Sequence, residues 1–172
     1  MLEMKTADEL VDPDLEARWS RRRATAREGV VLRQVLRSFV ARPGPILADE
    51  IVAALPGYPG AAVREELVKL DGDDLIQLVD GRVEVAYPFS GVPTPFVVRL
   101  PGGAERFACC AIDALGMAAM LGHPIDVRSQ CHHCGDPLEL SVAPDGPGPE
   151  ARDVVVWVGA RCEGERRISV GL

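Results

Sequence analysis

The sequence predicts an α+β protein with a helical N-terminal part and a strand-rich C-terminal part. Between residues 28 and 86 apolar residues recur at helical spacing, and a hairpin signal closes that region. From residue 87 onward, short segments that are β-branched or alternate in polarity predict strands, and one apolar helix interrupts them. We therefore expect a winged-helix-like domain at 28–86, with three helices and a hairpin. An α+β thiol domain at 87–172 should follow, as a small mixed β-sheet packed on one buried helix.

The composition is that of a folded protein. The 172 residues are 47% hydrophobic and 26% charged, which excludes an intrinsically disordered chain. A net charge of −7 argues against nucleic acid as a general partner, and no apolar run is as long as a membrane span. Residues 1–27 read as a charged N-terminal arm without the apolar core of a signal peptide. We expect a cytoplasmic protein whose five cysteines are thiols, metal ligands or catalytic groups.

The elements of the N-terminal part follow one another closely. The segment VVLRQVLRSFVA predicts an amphipathic helix, which RPGP ends. LADEIVAAL predicts a second helix, which ends at Pro56 and Gly57, and AAVREELVKL predicts a third. Two short strands flank Asp80 and Gly81, a dipeptide typical of hairpin turns. Three helices and a hairpin are the winged-helix arrangement. The third helix mixes its charges too evenly to bind phosphates well, so a structural or homodimer-forming role is the alternative to DNA binding.

The C-terminal part has more strands than helices. Segments with strand patterns are TPFVVRL, ERFACC, PIDVRSQC, PLELSVAP and DVVVWVG, with ISVGL as a candidate last strand. A helix is expected from about residue 111 to 121, because Gly122 and Pro124 supply its end. PDGPGPE is expected to be a loop.

Two adjacent cysteines and an aspartate stand where the strand ERFACC gives way to this helix. The first turn of a helix exposes unpaired N–H groups, which predicts a lowered pKa for a cysteine such as Cys109 or Cys110. Asp113 shares the helix face of Cys110, and burial would raise the pKa of its carboxyl group. Two interpretations stay open. One is a proton donor beside a nucleophilic thiolate, and the other is an inert cysteine beside a carboxylate at the helix terminus.

A second pair of thiols, Cys131 and Cys134, lies in the segment CHHCG. This C-x-x-C spacing followed by glycine is typical of a zinc knuckle, which supplies half of a four-ligand zinc site. The candidates for the missing ligands are other histidine and cysteine side chains: His132, His133, Cys109 and Cys162. The alternative is a structural turn that carries two spare thiols.

The segment FACCAIDALGMAAMLG, preceded by YPFSGVPTPFVVRL, resembles the core of the alkylmercury lyases, the organomercurial-cleaving enzymes of mercury resistance. The resemblance runs from about residue 28 to 158. It is most specific over 87–135, where YPFS, CCAIDALG and SQCHHCGDP occur in the family's order. The family's C-x-x-D signature at the start of the core helix matches Cys110 and Asp113. The resemblance implies a winged-helix-like portion followed by an α+β catalytic portion. The sequence departs from the family in its shortened C-terminus, since only ten residues follow Cys162.

The resemblance implies protonolysis of a carbon–mercury bond in a small organomercurial. Cys110 would attack the mercury, Asp113 would manage the proton, and Cys162, or Cys109 in its place, would be the second thiol. The mercuric ion would stay as bound product, with no organic cofactor, until thiol acceptors remove it. The alternative is a non-catalytic protein on the same fold that binds mercury or zinc, or a metal-responsive regulator.

Overall fold

The computed structural model describes residues 29–156. The expected N-terminal arm, the candidate strand ISVGL and Cys162 lie outside the described residues. Within this part of the chain, α-helices and β-strands combine in the α+β class that the sequence predicts.

The N-terminal half contains the three expected helices and the expected hairpin. Its elements are α1 (Val30–Ala41), β1 (Ile46–Leu47), α2 (Ala48–Ala53), α3 (Gly60–Gly72), β2 (Ile76–Val79) and β3 (Arg82–Ala86). The apolar stripe of α1 faces the core, where Val35 and Phe39 are completely buried. Asp80 and Gly81 both have positive φ, 47° and 76°, so they form the two-residue turn that suits the twist of a hairpin. The strand β1, which pairs with β3, was not predicted.

The C-terminal half supplies the remaining strands and one helix. Its elements are β4 (Phe89–Ser90), β5 (Val97–Arg99), β6 (Glu105–Ala108), α4 (Ala111–Leu121), β7 (Ile125–Gln130), β8 (Pro137–Ala143), β9 (Gly146–Pro147) and a 3₁₀ turn (Pro149–Ala151). The helix ends as predicted, because Gly122 takes the left-handed conformation with φ 70°.

Two predictions for the end of this half are wrong. The expected loop PDGPGPE contains β9, which pairs with β8, and the 3₁₀ turn. The expected strand DVVVWVG does not form over residues 153–156. The N–H of Val154 donates to the oxygen of Ala151 instead of to a neighbouring strand, and Val155 is 74% exposed. The chain is still turning at Arg152 and Asp153 after the 3₁₀ segment, so this run of valines does not enter the sheet over residues 154–156.

The strands of both halves form one antiparallel sheet. Among the described residues it has nine strands, with the order β1-β3-β4-β6-β5-β7-β8-β9 and β2 paired to β3. The expectation of a mixed sheet is wrong, because every pairing is antiparallel. The helical connection α4 does join two strands of the same direction, β6 and β7. However, β5 lies between them and pairs with both, so no parallel ladder forms.

A continuous core joins α1 to the sheet. The rings of Phe39 in α1 and Phe89 in β4 stack with their centroids 5.9 Å apart. Arg106 of β6 is 6% exposed, and its guanidinium donates to the backbone oxygens of Phe39 at 2.7 Å and Val40 at 2.6 Å. These carbonyls end α1 and have no partner within the helix, so Arg106 caps α1 and attaches it to the strand that leads to Cys110.

Only one face of α4 is buried. Ala114, Met117 and Ala118 pack against the core, whereas Ile112 is 59% exposed and Met120 is 45% exposed. The prediction of a buried helix is therefore too strong, because an almost wholly apolar sequence does not reveal which face meets the sheet. No helix in the described residues has the length and apolarity needed to cross a membrane.

Candidate functional site

The site begins where β6 ends and α4 starts. The N–H of Cys109 donates to the oxygen of Pro88 at 3.1 Å, which continues the pairing of β6 with the chain before β4. Cys110 then takes an extended conformation, with φ −149° and ψ 179°, and becomes the N-cap of α4. Its sulfur accepts the N–H of Asp113 at 3.4 Å, in the position that a serine or aspartate oxygen takes at other helix starts.

Cys110 and Asp113 are also joined through their side chains. The thiol of Cys110 donates to Oδ2 of Asp113 at 3.1 Å, and both residues are half-buried. The three-residue spacing places them at the N-cap and at the third position of the helix, where side chain and backbone groups can bond reciprocally. The C-x-x-D pattern therefore produces a thiol and a carboxylate in direct contact at a helix N-terminus.

The pKa of Cys110 differs from the expectation. Burial raises the pKa of its thiol to about 11, although the N–H of Asp113 opposes that shift. The charge of the Asp113 carboxylate and its hydrogen bond to the thiol raise it further. The prediction of a lowered pKa is wrong because burial outweighs the helix terminus here. The thiol is protonated at neutral pH, and its proton points at the carboxylate.

Cys109 has a different environment from its neighbour. It is buried, and its thiol donates to the backbone oxygen of Phe89 at 3.2 Å. Burial, and then the negative charge of Asp113, raise the pKa of this thiol well above its ordinary value. The expected role of Cys109 as an alternative metal ligand would require this hydrogen bond to break and the sulfur to leave the core.

The segment CHHCG forms a closed turn after β7. The N–H of Gly135 donates to the oxygen of Cys131 at 2.8 Å, and Gly135 has the positive φ, 76°, that this closure needs. The N–H groups of Cys134 and His133, followed by the thiol of Cys134, lower the pKa of Cys131. The thiol of Cys134 donates to Oδ2 of Asp136 at 3.2 Å. The turn therefore carries one half-buried and one exposed thiol that influence each other.

The expected zinc ligands do not assemble around this turn. His132 and His133 are exposed, and Cys162 is outside the described range. Across residues 29–156, no group of three or more histidine, cysteine or carboxylate side chains is arranged to hold a metal ion. The zinc site stays a prediction that needs ligands beyond Cys131 and Cys134.

Sequence reasoning missed Thr94, which supports the site. Its hydroxyl donates to the oxygen of Ala108 at 2.7 Å and accepts the N–H of Phe96 at 3.2 Å, so it ties the end of β6 to the segment before β5. The signal in the sequence is the pair of prolines around this threonine, Pro93 and Pro95, which restrict the backbone of the segment.

A separate cavity of about 580 Å³ opens at the other end of α4. Its lining includes Arg99, Asp126 and Asp145, and neither Cys110 nor Asp113 contributes to it. The cavity is open and has no thiol in its lining, so it is not part of the thiol–carboxylate site.

The fold and the site define an α+β protein with a thiol and a carboxylate paired at the N-terminus of α4. The sequence model of the alkylmercury lyase family matches residues 89–170, which include this pair and both strands that flank it. The resemblance to that family, expected from C-x-x-D, is confirmed.

Individual relatives agree with the family match. The chain is 34% identical over 110 residues to an alkylmercury lyase of Staphylococcus epidermidis, and 42% identical over 110 residues to one of Streptomyces lividans. Each match covers 64% of this chain and 49% of the relative. An alkylmercury lyase of Bacillus cereus is 31% identical over 102 residues, which cover 59% of this chain and 45% of the relative. The chain thus spans about half the length of these curated relatives.

One solved structure has a similar fold. The crystal structure of the mercury-bound form of MerB2 superposes with a TM-score of 0.52, covering 63% of this chain and 52% of its own. Its sequence is 24% identical, so the likeness concerns the fold.

Proposed function

We propose that this protein cleaves the carbon–mercury bond of organomercurials by protonolysis at Cys110 and Asp113. The observation that carries the proposal is the hydrogen bond of 3.1 Å from the Cys110 thiol to the Asp113 carboxylate. It lies within the segment that matches the alkylmercury lyase family, and the curated relatives bear that enzyme's name. A soft metal prefers thiolates, and protonolysis needs an acid close to the metal-bound carbon.

The first step is capture of the substrate. The mercury of R–Hg⁺ bonds to the sulfur of Cys110 while the thiol proton passes to the carboxylate of Asp113 along the existing hydrogen bond. A thiol with a pKa of about 11 carries almost no thiolate at neutral pH. Asp113 therefore acts as the base that makes Cys110 reactive when the metal arrives.

The second step is cleavage. A second thiol, for which Cys162 is the candidate, loses its proton to solvent and bonds to the same mercury. The protonated carboxyl of Asp113 then gives its proton to the carbon, R–H leaves, and the mercuric ion remains on two thiolates. One thiol proton has reached the hydrocarbon and the other has reached solvent, so charge and protons balance. Thiol acceptors would then remove the ion.

The N-terminal half has a structural role in the proposed enzyme and does not bind nucleic acid. The order α1, β1, α2, α3, β2, β3, three helices followed by a hairpin, supports a winged-helix-like domain here. Cations of α3 are already paired, because Arg64 contacts Asp49 at 2.6 Å and Lys69 contacts Glu66 at 3.7 Å. A structural or homodimer-forming role in the cytoplasm suits these charges better than phosphate binding.

A second candidate is a non-catalytic protein that binds soft metals. The thiol pair of half-buried Cys131 and exposed Cys134 favours it, since two sulfurs suffice to bind a metal without any turnover.

The experiment is a titration of the full chain with phenylmercuric acetate in the presence of a monothiol competitor. We expect Cys110→Ser to lose the tight equivalent of bound mercurial and Asp113→Asn to keep it while releasing no benzene by gas chromatography. Cys134→Ser is the matched control and should behave like the wild type in benzene release. Equal binding by wild type and Cys110→Ser would remove Cys110 from the site, and benzene from Asp113→Asn would remove the proton role.

A further inference from the structure

The turn CHHCG and the N-terminus of α4 lie at the same end of the sheet. β5 pairs with β6 on one side and with β7 on the other, so that Val97 is opposite both Phe107 and Arg128. Phe107 and Arg128 are therefore two strand spacings apart, which is about 10 Å across the sheet. Cys110 and Cys131 each follow these residues by three positions, just beyond the ends of β6 and β7.

The turn holds both cysteines in place before any ligand arrives. The thiol of Cys134 donates to Oδ2 of Asp136 at 3.2 Å, and the N–H groups of Cys134 and His133 and the Cys134 thiol lower the pKa of Cys131. The turn is fixed at both ends, by the bond from Gly135 to Cys131 and by the bond of 2.8 Å from the N–H of Cys131 to the oxygen of Asp136. Little conformational entropy is left to lose when a metal bridges the sulfurs.

The number of ligands decides which metal suits the turn. Zinc in a structural site takes four ligands, and within residues 29–156 no group of three or more histidine, cysteine or carboxylate side chains is arranged to hold a metal ion. A soft ion that is satisfied by two thiolates needs only the sulfurs of Cys131 and Cys134. The arrangement therefore favours a two-coordinate soft cation.

We propose that Cys131 and Cys134 form a second metal site, which binds one mercuric ion through two thiolates and receives it from Cys110. The binding part stands on the geometry of the turn, and the transfer part rests on the proposed function. In binding, the ion forms two mercury–sulfur bonds and two thiol protons leave, that of Cys134 by way of the Asp136 carboxylate. In transfer, each new bond between mercury and a sulfur of Cys131 or Cys134 replaces one bond between mercury and a thiolate of the Cys110 site. The thiolates that are released at the Cys110 site take up protons. No electrons are exchanged.

The binding part is tested with mercuric chloride on the variant Cys110→Ser/Cys162→Ser. We expect one ion per chain with two sulfur neighbours by X-ray absorption, retained against two equivalents of a monothiol. Retention follows because the second sulfur acts at an effective concentration in the millimolar range. Adding Cys134→Ser should weaken retention at least about 100-fold at micromolar competitor. Equal retention with and without Cys134, or an ion shared by two chains in sedimentation, would overturn the site.

The transfer part is tested with phenylmercuric acetate on the wild type in a single turnover. After benzene is released, native mass spectrometry of peptides should find mercury on the peptide that contains Cys131 and Cys134. Mercury that stays on the Cys110 peptide after benzene release would overturn transfer alone. Absence of benzene would count against the proposed function, and the mercuric chloride experiment would still decide the second site.

Discussion

The reactivity of Cys110 is the property that the structure specifies most closely. A thiol with a pKa of about 11 has, at pH 7.5, about a hundredth of the thiolate of a thiol at its ordinary value of 9.0. We therefore expect iodoacetamide to modify Cys110 about 100-fold more slowly than a free cysteine. The rate should keep rising with pH up to about pH 11. Cys131, whose thiol has a lowered pKa, should react faster than Cys110 at every pH below that value.

Replacing Asp113 with asparagine separates the causes of this shift. Burial of the sulfur and the N–H of residue 113 remain, but the negative charge that opposes the thiolate disappears. The pKa of Cys110 should fall, and its alkylation at pH 7.5 should accelerate about tenfold or more, since a charge in contact shifts a pKa by about one unit or more. Peptide mass spectrometry gives the rate at each cysteine, and Asp145→Asn is the control on an exposed carboxylate. If Cys110 is alkylated at the same rate or more slowly in Asp113→Asn, the charge of Asp113 does not raise the pKa of Cys110.

Three further outcomes are expected. Arg106→Met should lower the free energy of unfolding in urea by about 1–3 kcal/mol, because it leaves buried carbonyls of α1 unbonded, and an unchanged midpoint would contradict the capping role. Gly91→Ala should destabilise by about 1–3 kcal/mol, because its new Cβ would lie 2.8 Å from the backbone nitrogen of Pro45, whereas Gly116→Ala meets open space and should stabilise by about 1 kcal/mol. Similar melting temperatures for the two glycine variants would show that the backbone around Gly91 shifts to accommodate the new methyl group, which would contradict the prediction. Cys162→Ser should bind aryl mercurial yet turn it over at least about tenfold more slowly, a loss of about 1.4 kcal/mol, and unchanged turnover would move the second-thiol role to another cysteine.

Local patterns in the sequence predicted most of the elements. The apolar spacing of α1, the Asp80-Gly81 turn and the glycine after α4 are decided by residues close together in the chain, and each was found where expected. The contact between Cys110 and Asp113 was predictable for the same reason, since three residues of helix bring them together.

Features that depend on distant residues were not predictable. The antiparallel sheet follows from the insertion of β5 between β6 and β7, which no local pattern encodes. The pKa of Cys110 depends on how deeply the fold buries a helix terminus, and the sequence indicates only that the terminus exists. The valines at 154–156 have a strand pattern, but they follow directly on a 3₁₀ turn, and the N–H of Val154 donates back to Ala151 of that turn.

Protonolysis is tested most directly by the origin of the hydrogen on the released hydrocarbon. The wild-type chain, equilibrated in deuterium oxide and mixed with one equivalent of phenylmercuric acetate, should release benzene that carries one deuterium by gas chromatography and mass spectrometry. That deuterium would have come from the exchangeable Cys110 thiol by way of Asp113. Bound mercurial without any release of benzene, or benzene without deuterium, would contradict the account.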